Sequence, residues 1–180
     1  FTVTPFFENC YVLTHNGETM VIDPGEAAPE LKAAVAGANV TMIFNTHCHC
    51  DHSGGNAEMM KLTGAPLVCH EADLPLLRSI SQQGMLFGVR IPSSPDPDRF
   101  VNEGDIVELG GEKLEVRFTP GHAPGHVVLV GDGFVIAGDT LFAGSIGRTD
   151  LPGGNYNQLI TSIREKLLTL PDDTVVYSGH

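Results

Sequence analysis

The stretch that decides the fold is Asn45-Thr46-His47-Cys48-His49-Cys50-Asp51-His52-Ser53-Gly54-Gly55, in which three imidazoles and one carboxylate fall within six positions. It directly follows the apolar run Val40-Thr41-Met42-Ile43-Phe44. A short run that is rich in β-branched residues predicts a buried strand. The histidines are therefore expected on the loop at the C-terminal end of that strand, where a sheet presents its chemically active side chains.

The spacing H-x-H-x-D-H predicts two adjacent metal ions. A turning loop can direct His47 and His49 towards one point, and Asp51 and His52, beyond the bend, towards a second point nearby. Their nitrogen and oxygen atoms are ligands suited to zinc or iron. The simpler interpretation is a polar loop that is merely rich in histidine. It is disfavoured because it leaves several histidines beside a buried strand without partners.

Length and composition indicate one domain over residues 1–180. The 180 residues, 42% of them hydrophobic, are enough to bury a substantial core. The sequence has no apolar run of the ~18 residues that a bilayer-spanning helix needs. The excess of 22 acidic over 10 basic residues, a formal charge of -12, argues against nucleic acid or an anionic membrane as the main partner.

The four cysteines do not form the pattern of a disulfide framework. They are few for the length, and Cys48 and Cys50 lie inside the histidine-rich loop. This usage favours a reducing compartment such as the cytoplasm. Because Cys48 and Cys50 alternate with the histidines, we expect both to point away from the metal ions.

Strand and helix signals alternate along the chain. The expected strands are residues 6–13, 19–22, 40–44, 67–69, 106–109, 113–118, 127–130, 134–137 and 174–177. The expected helices are residues 29–36, a segment capped by Ser53 that runs to residue 62, and residues 155–170. Residues 80–99 lack periodicity, which predicts a long loop near the site. Its Met85, Leu86 and Phe87 are candidates either for a pocket wall or for core packing.

Further candidate ligands stand just past predicted strand ends. His122 lies in Thr119-Pro120-Gly121-His122, Asp139 in Gly138-Asp139-Thr140, and His180 in Ser178-Gly179-His180. Asp23 follows a strand within Asp23-Pro24-Gly25, where a turn role is favoured and support of the site is the alternative. His15 and His70 have no partner at ligand spacing, and we expect both to be ordinary surface or strand-end residues.

The combined motifs resemble those of the metallo-β-lactamase-fold hydrolases. The chain is similar in particular to the glyoxalase II-like branch, the small bacterial hydroxyacylglutathione hydrolase type, because its Asp-Thr-Leu-Phe segment leads into Gly147-Arg148-Thr149-Asp150. The resemblance covers nearly the whole chain. It implies an α/β (α+β) fold, a four-layer αββα sandwich of two mixed β-sheets flanked by helices. Arg148 and Asp150 are expected to form a structural ion pair, with binding of an anionic substrate as the alternative.

The resemblance also implies the roles of seven side chains that hold two divalent metal ions. These ions can be zinc, iron or manganese. The ligands implied are His47, His49 and His122 for the first ion, Asp51, His52 and His180 for the second, and Asp139 as a bridge between both. His126 matches a structural position and is not counted as a ligand. Asp51 and Asp139 are the expected catalytic residues. Because a terminal residue frays, and His180 is both terminal and an implied ligand, we expect the natural protein to continue beyond it.

A pair of divalent ions predicts hydrolysis. A water molecule held between two dications has its pKa lowered from 15.7 towards about 7 and becomes the nucleophile. A metal ion that polarises the substrate carbonyl lowers the barrier by several kcal/mol. A thioester suits such a site because its thiolate leaves readily. The resemblance to the glyoxalase II-like branch implies that the substrate is S-D-lactoylglutathione or a related thioester.

Two other functions stay open at this stage. A persulfide dioxygenase with one iron shares the stretch at residues 147–150 and would hold iron by two histidines and an aspartate. A non-catalytic module would bind metal without hydrolysing esters or thioesters. Two activities found elsewhere in the superfamily are disfavoured. His49 stands where flavodiiron-like members carry glutamate, and Asp139 stands where one lactamase subclass carries cysteine and another has no bridging aspartate.

Overall fold

In the computed structural model, which describes residues 1–180, two five-stranded sheets face each other and helices cover both outer sides. The strands are β1 (Thr2–Val3), β2 (Glu8–Asn9), β3 (Tyr11–His15), β4 (Glu18–Ile22), β5 (Asn39–Phe44), β6 (Leu67–Cys69), β7 (Arg99–Phe100), β8 (Ile106–Leu109), β9 (Glu112–Phe118), β10 (Val127–Gly131), β11 (Phe134–Gly138), β12 (Leu141–Phe142), β13 (Ser145–Ile146) and β14 (Val175–Ser178). The helices are α1 (Pro29–Val35), α2 (Cys50–Ser53), α3 (Asn56–Thr63), α4 (Leu74–Arg78), α5 (Ile80–Leu86) and α6 (Tyr156–Ser162), the last continued by a π-helical turn at Ile163–Leu167. No helix has both the length and the apolar character needed to cross a membrane.

Both sheets are mixed. The first has the order β3-β4-β5-β6-β7, in which β3 and β4 form an antiparallel hairpin and the remaining pairs are parallel. The second has the order β14-β11-β10-β9-β8, an antiparallel meander to which β14 adds in parallel beside β11. The β3–β4 hairpin turns at Asn16 and Gly17, both with positive φ, as the Asn-Gly signal predicts.

The strands bury alternate faces, which divides the core into layers. In β10, Val127 and Leu129 lie in the cluster between the two sheets, whereas Val128 packs under α6. The outer face of the first sheet is covered by α1 and α3, whose Leu31 and Met59 lie in a third cluster. This alternation is the period-two pattern of a strand that is buried on both sides. The predicted four-layer αββα sandwich is confirmed.

The prediction that one helix begins at Ser53 is wrong. The helical residues that follow the histidine-rich loop are split into α2 and α3, and the Ser53 hydroxyl donates to the His49 carbonyl oxygen instead of capping α3. Gly54 and Gly55 separate the two helices. A Cβ atom on Gly55 would lie 2.6 Å from the Pro24 carbonyl oxygen, so the backbone approaches here more closely than a side chain permits.

Two further local predictions are wrong. Residues 80–99 are not one loop, because their first seven residues form α5, which buries the Ile80 side chain completely. A fully buried apolar side chain offsets weak local helix signals, since tertiary packing overrides propensity. The predicted strand at residues 6–13 is also shorter. Phe7 has a φ of 60°, which places a turn before β2 and β3.

Shortening Leu129 tests the core between the sheets. Its side chain is fully buried, so Leu129→Ala is expected to lower the free energy of unfolding by about 2–5 kcal/mol, through lost transfer free energy and a residual cavity. Leu168→Ala, at an exposed leucine, is the control and should change it by less than about 0.5 kcal/mol. Urea unfolding measures both variants, and equal effects would contradict the assignment of the core.

Candidate metal centre

The candidate ligands meet at one end of the sandwich, where strands of both sheets finish. The loop after β5 carries His47 and His49, and α2 follows it with Asp51 and His52. The second sheet contributes its side chains from the loop between β9 and β10 and from the ends of β11 and β14. The backbone N–H of Val127 donates to the Thr46 carbonyl oxygen at 2.8 Å, which ties the two sheets together beside the site. All seven side chains predicted as ligands therefore lie around one small volume.

The first ligand cluster consists of His47, His49 and His122, whose ligand atoms lie within 4.8 Å of one another in a buried position. His122 Nδ1 donates to the Arg148 carbonyl oxygen at 2.7 Å, so His122 Nε2 carries a lone pair. That nitrogen lies 2.9 Å from His49 Nδ1. His47 Nε2 is buried and has no hydrogen-bond partner. Three imidazoles thus direct nitrogen atoms at one point, which is the donor set of a first-row divalent metal.

The second ligand cluster consists of Asp51, His52 and His180, also within 4.8 Å. His180 Nε2 lies 3.4 Å from Asp51 Oδ2, and His52 Nε2 lies 4.0 Å from the same oxygen. This cluster is less enclosed than the first, because Asp51 and His180 are partly exposed to the cavity described below. Two imidazoles and one carboxylate are a donor set that also suits zinc, iron or manganese.

Asp139 lies between the two clusters. Its Oδ1 is 3.4 Å from His52 Nε2, and its Oδ2 is 3.4 Å from His122 Nε2 and 3.5 Å from His180 Nε2. Asp139 Oδ1 and His52 Nε2 are buried and make no hydrogen bond, like His47 Nε2. Buried polar atoms without partners are destabilising unless a cation or another group satisfies them. The residues therefore fit divalent metal ions on both sides of Asp139.

Backbone and carboxylate acceptors orient the imidazoles. His52 Nδ1 donates to Asp23 Oδ2 at 3.1 Å, and His180 Nδ1 donates to the Phe6 carbonyl oxygen at 3.1 Å. The Thr46 hydroxyl donates to Asp23, so it accepts from His47 Nδ1 at 3.2 Å. Each of these contacts fixes the tautomer that leaves Nε2 free to face the centre.

Asp23 holds residues of the site in position. This is the alternative role that the sequence left open for it beside a turn. Its φ of 51° places it in a turn as well. Asp23, His47 and His52 are also close enough to hold a metal ion. However, the carboxylate already accepts the Thr46 N–H at 2.7 Å, the Thr46 hydroxyl at 2.6 Å and the His52 ring. Asp23 is therefore a residue that orients ligands rather than a ligand.

His126 is engaged through both ring nitrogens and has no lone pair for a metal. Its Nε2 accepts the Asp139 backbone N–H at 3.0 Å, and its Nδ1 lies 3.0 Å from the Thr119 hydroxyl and 3.1 Å from the Thr140 hydroxyl. The ring stacks on His47 with 4.9 Å between centroids. His126 thus holds the backbone of Asp139 and the ring of His47 in place.

The two clusters differ in electrostatics. Burial lowers the pKa of His47 and His122, and that of His49 to about 3, with neighbouring imidazoles adding to the effect. These rings are neutral and have lone pairs available near pH 7. Burial opposes protonation of His52 too, but the carboxylates of Asp139 and Asp51 raise its pKa well above the usual value. The second cluster therefore attracts positive charge more strongly than the first.

Asp73 is a functional residue that the sequence analysis missed. Its fully buried carboxylate accepts the Cys48 N–H at 2.8 Å and the Gly125 N–H at 2.5 Å. Cys48 lies between His47 and His49, and Gly125 lies in the loop that carries His122. Asp73 thus joins the two loops of the first cluster. No local signal identified it, because Glu71-Ala72-Asp73 reads as a polar turn.

Glu8 was also missed. Its side chain is completely buried, and neither carboxylate oxygen has a hydrogen-bond partner. Oε1 lies 3.7 Å from His52 Nδ1, on the side of the ring that Asp23 also faces. Burial raises the pKa of Glu8 well above its usual value, which favours a neutral carboxyl group here.

Neither Cys48 nor Cys50 belongs to the ligand clusters. Cys48 is buried in the core beneath the first sheet, and a hydrogen bond with Cys69 together with burial raises its pKa. Cys50 lines the cavity wall, and burial raises its pKa to about 11. Both thiols are protonated near pH 7, a state in which cysteine is a poor metal ligand.

A cavity of about 590 Å³ opens onto Asp51, Asp139 and His180. Leu86 and Phe87 line it, so the pocket-wall interpretation holds for these two residues. Met85 is exposed and does not line the cavity. The predicted ion pair is present at the rim, where the Arg148 guanidinium donates to both Asp150 oxygens at 2.7 Å.

Replacing Asp73 tests the connection between the ligand loops. The amide oxygen of Asp73→Asn can accept only one of the two buried N–H groups, so we expect the free energy of unfolding of the metal-free protein to fall by about 1–3 kcal/mol. Asp98→Asn is the control, since exposed Asp98 also accepts a backbone N–H, from Leu67. Urea unfolding measures both. An Asp73 effect no larger than that of the control would refute the connection.

Comparisons with known proteins agree with this geometry. The chain is 39% identical over 184 residues to a Bacillus subtilis protein named probable metallo-hydrolase YqgX, covering 99% of this chain and 87% of that one. It is 37% identical over 185 residues to the Haemophilus influenzae hydroxyacylglutathione hydrolase GloC, again covering 99% and 87% of the two chains.

Solved structures show the same fold. A crystal structure of TTHA1623 in a di-iron-bound form superposes with a TM-score of 0.92 at 36% identity, covering 100% of this chain and 90% of that one. The BLEG-1 B3 metallo-β-lactamase gives a TM-score of 0.91 at 32% identity, with 99% and 89% covered. ETHE1 from Myxococcus xanthus gives 0.75 at 27% identity, with 96% and 70% covered.

The family model described as the metallo-beta-lactamase superfamily matches residues 3–180, almost the entire chain. Two sheets in an αββα sandwich, metal-ligand clusters at their common end and relatives above 30% identity lead to the same assignment. The protein belongs to the metallo-β-lactamase superfamily.

Proposed function

We propose that this protein is a metal-dependent thioester hydrolase of the glyoxalase II kind, acting on S-D-lactoylglutathione or a related thioester. Its two divalent ions would be held by seven side chains. The proposed ligands are His47, His49 and His122 for the first ion, Asp51, His52 and His180 for the second, and Asp139 for both. Zinc, iron and manganese are the metals that this donor set accepts.

The observation that carries the proposal is the position of Asp139. One carboxylate oxygen faces His52 in the second cluster, and the other faces His122 in the first and His180 in the second. The neighbouring imidazoles, above all His52, outweigh burial and keep the pKa of Asp139 low, so the carboxylate is ionised and available to two cations. When bound, the pair of ions would acidify a water molecule and polarise the substrate carbonyl.

Asp51 is placed to accept a proton. It lines the cavity, and although burial opposes ionisation, His52 and His180 lower its pKa, so the carboxylate is ionised and free of a proton near pH 7. His180 Nε2, 3.4 Å away, holds one of its oxygens in position. A carboxylate beside the reacting carbonyl can therefore take the proton of the attacking water.

The side chains of the cavity suit cleavage of a thioester better than cleavage of an amide, because a thioester has the better leaving group. The lining contains no lysine or tyrosine that could protonate a poor leaving group, and the Cys50 thiol has a pKa of about 11. A thiolate leaves without such help. The Haemophilus influenzae relative named hydroxyacylglutathione hydrolase supports this chemistry for the present chain.

A persulfide dioxygenase with one iron is the second candidate, and the likeness to ETHE1 favours it. Its single iron would be held by only two histidines and one aspartate of the candidate centre. The TM-score of 0.75 is lower than the 0.92 obtained with the di-iron protein, and a single iron leaves the second cluster unused. Hydrolysis at two metal ions is therefore the better-supported function.

Loss of ligands tests the proposed function. Metal-loaded protein should hydrolyse S-D-lactoylglutathione under anaerobic conditions. His122→Ala removes a proposed ligand and Asp139→Asn replaces the proposed bridging carboxylate by a neutral amide, so each should lower kcat/KM by more than the roughly 10–100-fold typical of residues that only orient ligands. His15→Ala, at an exposed histidine of β3, is the matched control and should retain activity. Elemental analysis should give two metal ions per chain.

Three results would count against the hydrolase. One iron per chain with oxygen consumption would support the dioxygenase instead. Tight metal binding without hydrolysis of a broad ester and thioester panel would support a non-catalytic module. Equal activities of Asp139→Asn and His15→Ala would show that Asp139 does not bridge the reacting centre.

A further inference from the structure

The cavity beside the ligand clusters has two apolar walls. One wall is formed by Leu76 of α4, by Leu86 and Phe87 at the end of α5, and by Phe6, which packs against Phe87 edge to face with 5.4 Å between centroids. The second wall is formed by the β12–β13 hairpin and the loop that follows it, through Phe142, Ile146, Leu151 and Pro152. The cavity is also lined by Asp51, Asp139 and His180.

The rim of the first wall is unusually apolar for a surface. Leu86 is 84% exposed, Met85 69% and Phe87 46%. Three consecutive large apolar side chains at the surface are unfavourable unless a ligand or partner covers them. Because Leu86 and Phe87 belong both to this exposed rim and to the cavity lining, a ligand in the cavity can contact them.

The walls offer little to a highly charged substrate. Arg148 is the one arginine or lysine in the lining, and its guanidinium is occupied by both oxygens of Asp150. The other polar lining residues outside the ligand clusters and Cys50 are Ser79, Gln82 and Gln83, which are uncharged. With a formal net charge of -12, the chain as a whole also repels anions.

Biological thiols such as glutathione are polar, so the apolar part of a thioester is its acyl group. We infer that the apolar cavity binds the acyl chain, and that thioesters of unbranched apolar acyl groups are cleaved more efficiently than those of the small hydroxylated D-lactoyl group. This inference rests on the proposed hydrolase function and specifies its substrate class. A cavity of about 590 Å³ lies in the range of ligand pockets, about 300–1,000 Å³.

A series of acyl chains on one uncharged thiol tests the inference. The acetyl, butyryl, hexanoyl and octanoyl thioesters of N-acetylcysteamine differ only in apolar length. With metal-loaded protein, kcat/KM should rise about two- to fourfold per methylene, because each added methylene leaves water for an apolar wall. Octanoyl, which is six methylenes longer than acetyl, should therefore exceed it by at least about 60-fold, and should also exceed S-D-lactoylglutathione.

Variants of the exposed rim test whether the dependence of kcat/KM on acyl-chain length arises at the wall that contains Leu86 and Phe87. Leu86→Gln and Phe87→Gln should lower the octanoyl-to-acetyl ratio of kcat/KM by about three- to tenfold. Both side chains are exposed, so the substitutions should leave the fold intact, and unchanged thermal unfolding checks this point. Leu62→Gln is the control, since Leu62 is a 49% exposed leucine of α3 that does not line the cavity. It should leave the ratio unchanged.

Binding of an inert analogue gives a readout besides activity. S-octyl N-acetylcysteamine, a thioether that cannot be hydrolysed, should bind at least about tenfold more tightly than the S-ethyl analogue by calorimetry. Leu86→Gln should reduce that difference, whereas Leu62→Gln should not.

The outcomes separate the two claims. If acetyl and lactoyl thioesters are cleaved but kcat/KM does not rise with chain length, the acyl-chain inference fails and the hydrolase proposal stands. If no thioester is cleaved by protein that holds two metal ions, both claims fail.

Discussion

The structure depends on bringing one carboxylate, that of Asp139, between imidazoles that two different sheets supply. His52 reaches it from the first sheet, and His122 and His180 reach it from the second, all with nitrogen-to-oxygen distances of 3.4–3.5 Å. Such a cluster of buried polar atoms is destabilising on its own. Bound cations would offset this cost and stabilise the folded protein. The buried atoms at the centre that have no hydrogen-bond partner are the ones that such cations would contact.

Close backbone contacts bring the strand ends that carry candidate ligands next to one another and to the histidine-rich loop. The Gly179 N–H donates to the Gly138 carbonyl oxygen at 2.8 Å, which sets the end of β14 beside the end of β11 and so His180 beside Asp139. A Cβ atom on Gly138 would lie 2.5 Å from the Thr46 hydroxyl. Glycine is therefore required where the two ligand-bearing strand ends meet the histidine-rich loop. Buried Asp73 adds a further connection between the loops of the first cluster.

The sequence revealed the candidate ligands because they carry strong local signals. The H-x-H-x-D-H spacing and the polar residues just past predicted strand ends single out His47, His122 and Asp139 without any coordinates. Short apolar runs bounded by turn signals likewise predicted most strands of both sheets. The supporting residues were not predictable in this way. Asp73 acts through backbone N–H groups of Cys48 and Gly125, distant in sequence, and such contacts leave no local pattern. Helix α5 was missed because its sequence has no helical repeat of apolar residues, and Ile80 is its one large apolar side chain that is buried.

The most direct test of the central claim is anomalous diffraction from crystals of the protein loaded with zinc. The account predicts two peaks about 3.5–4 Å apart, the spacing of two-metal sites, with Asp139 in contact with both. A single peak, or two peaks of which one lies away from Asp139, would contradict it.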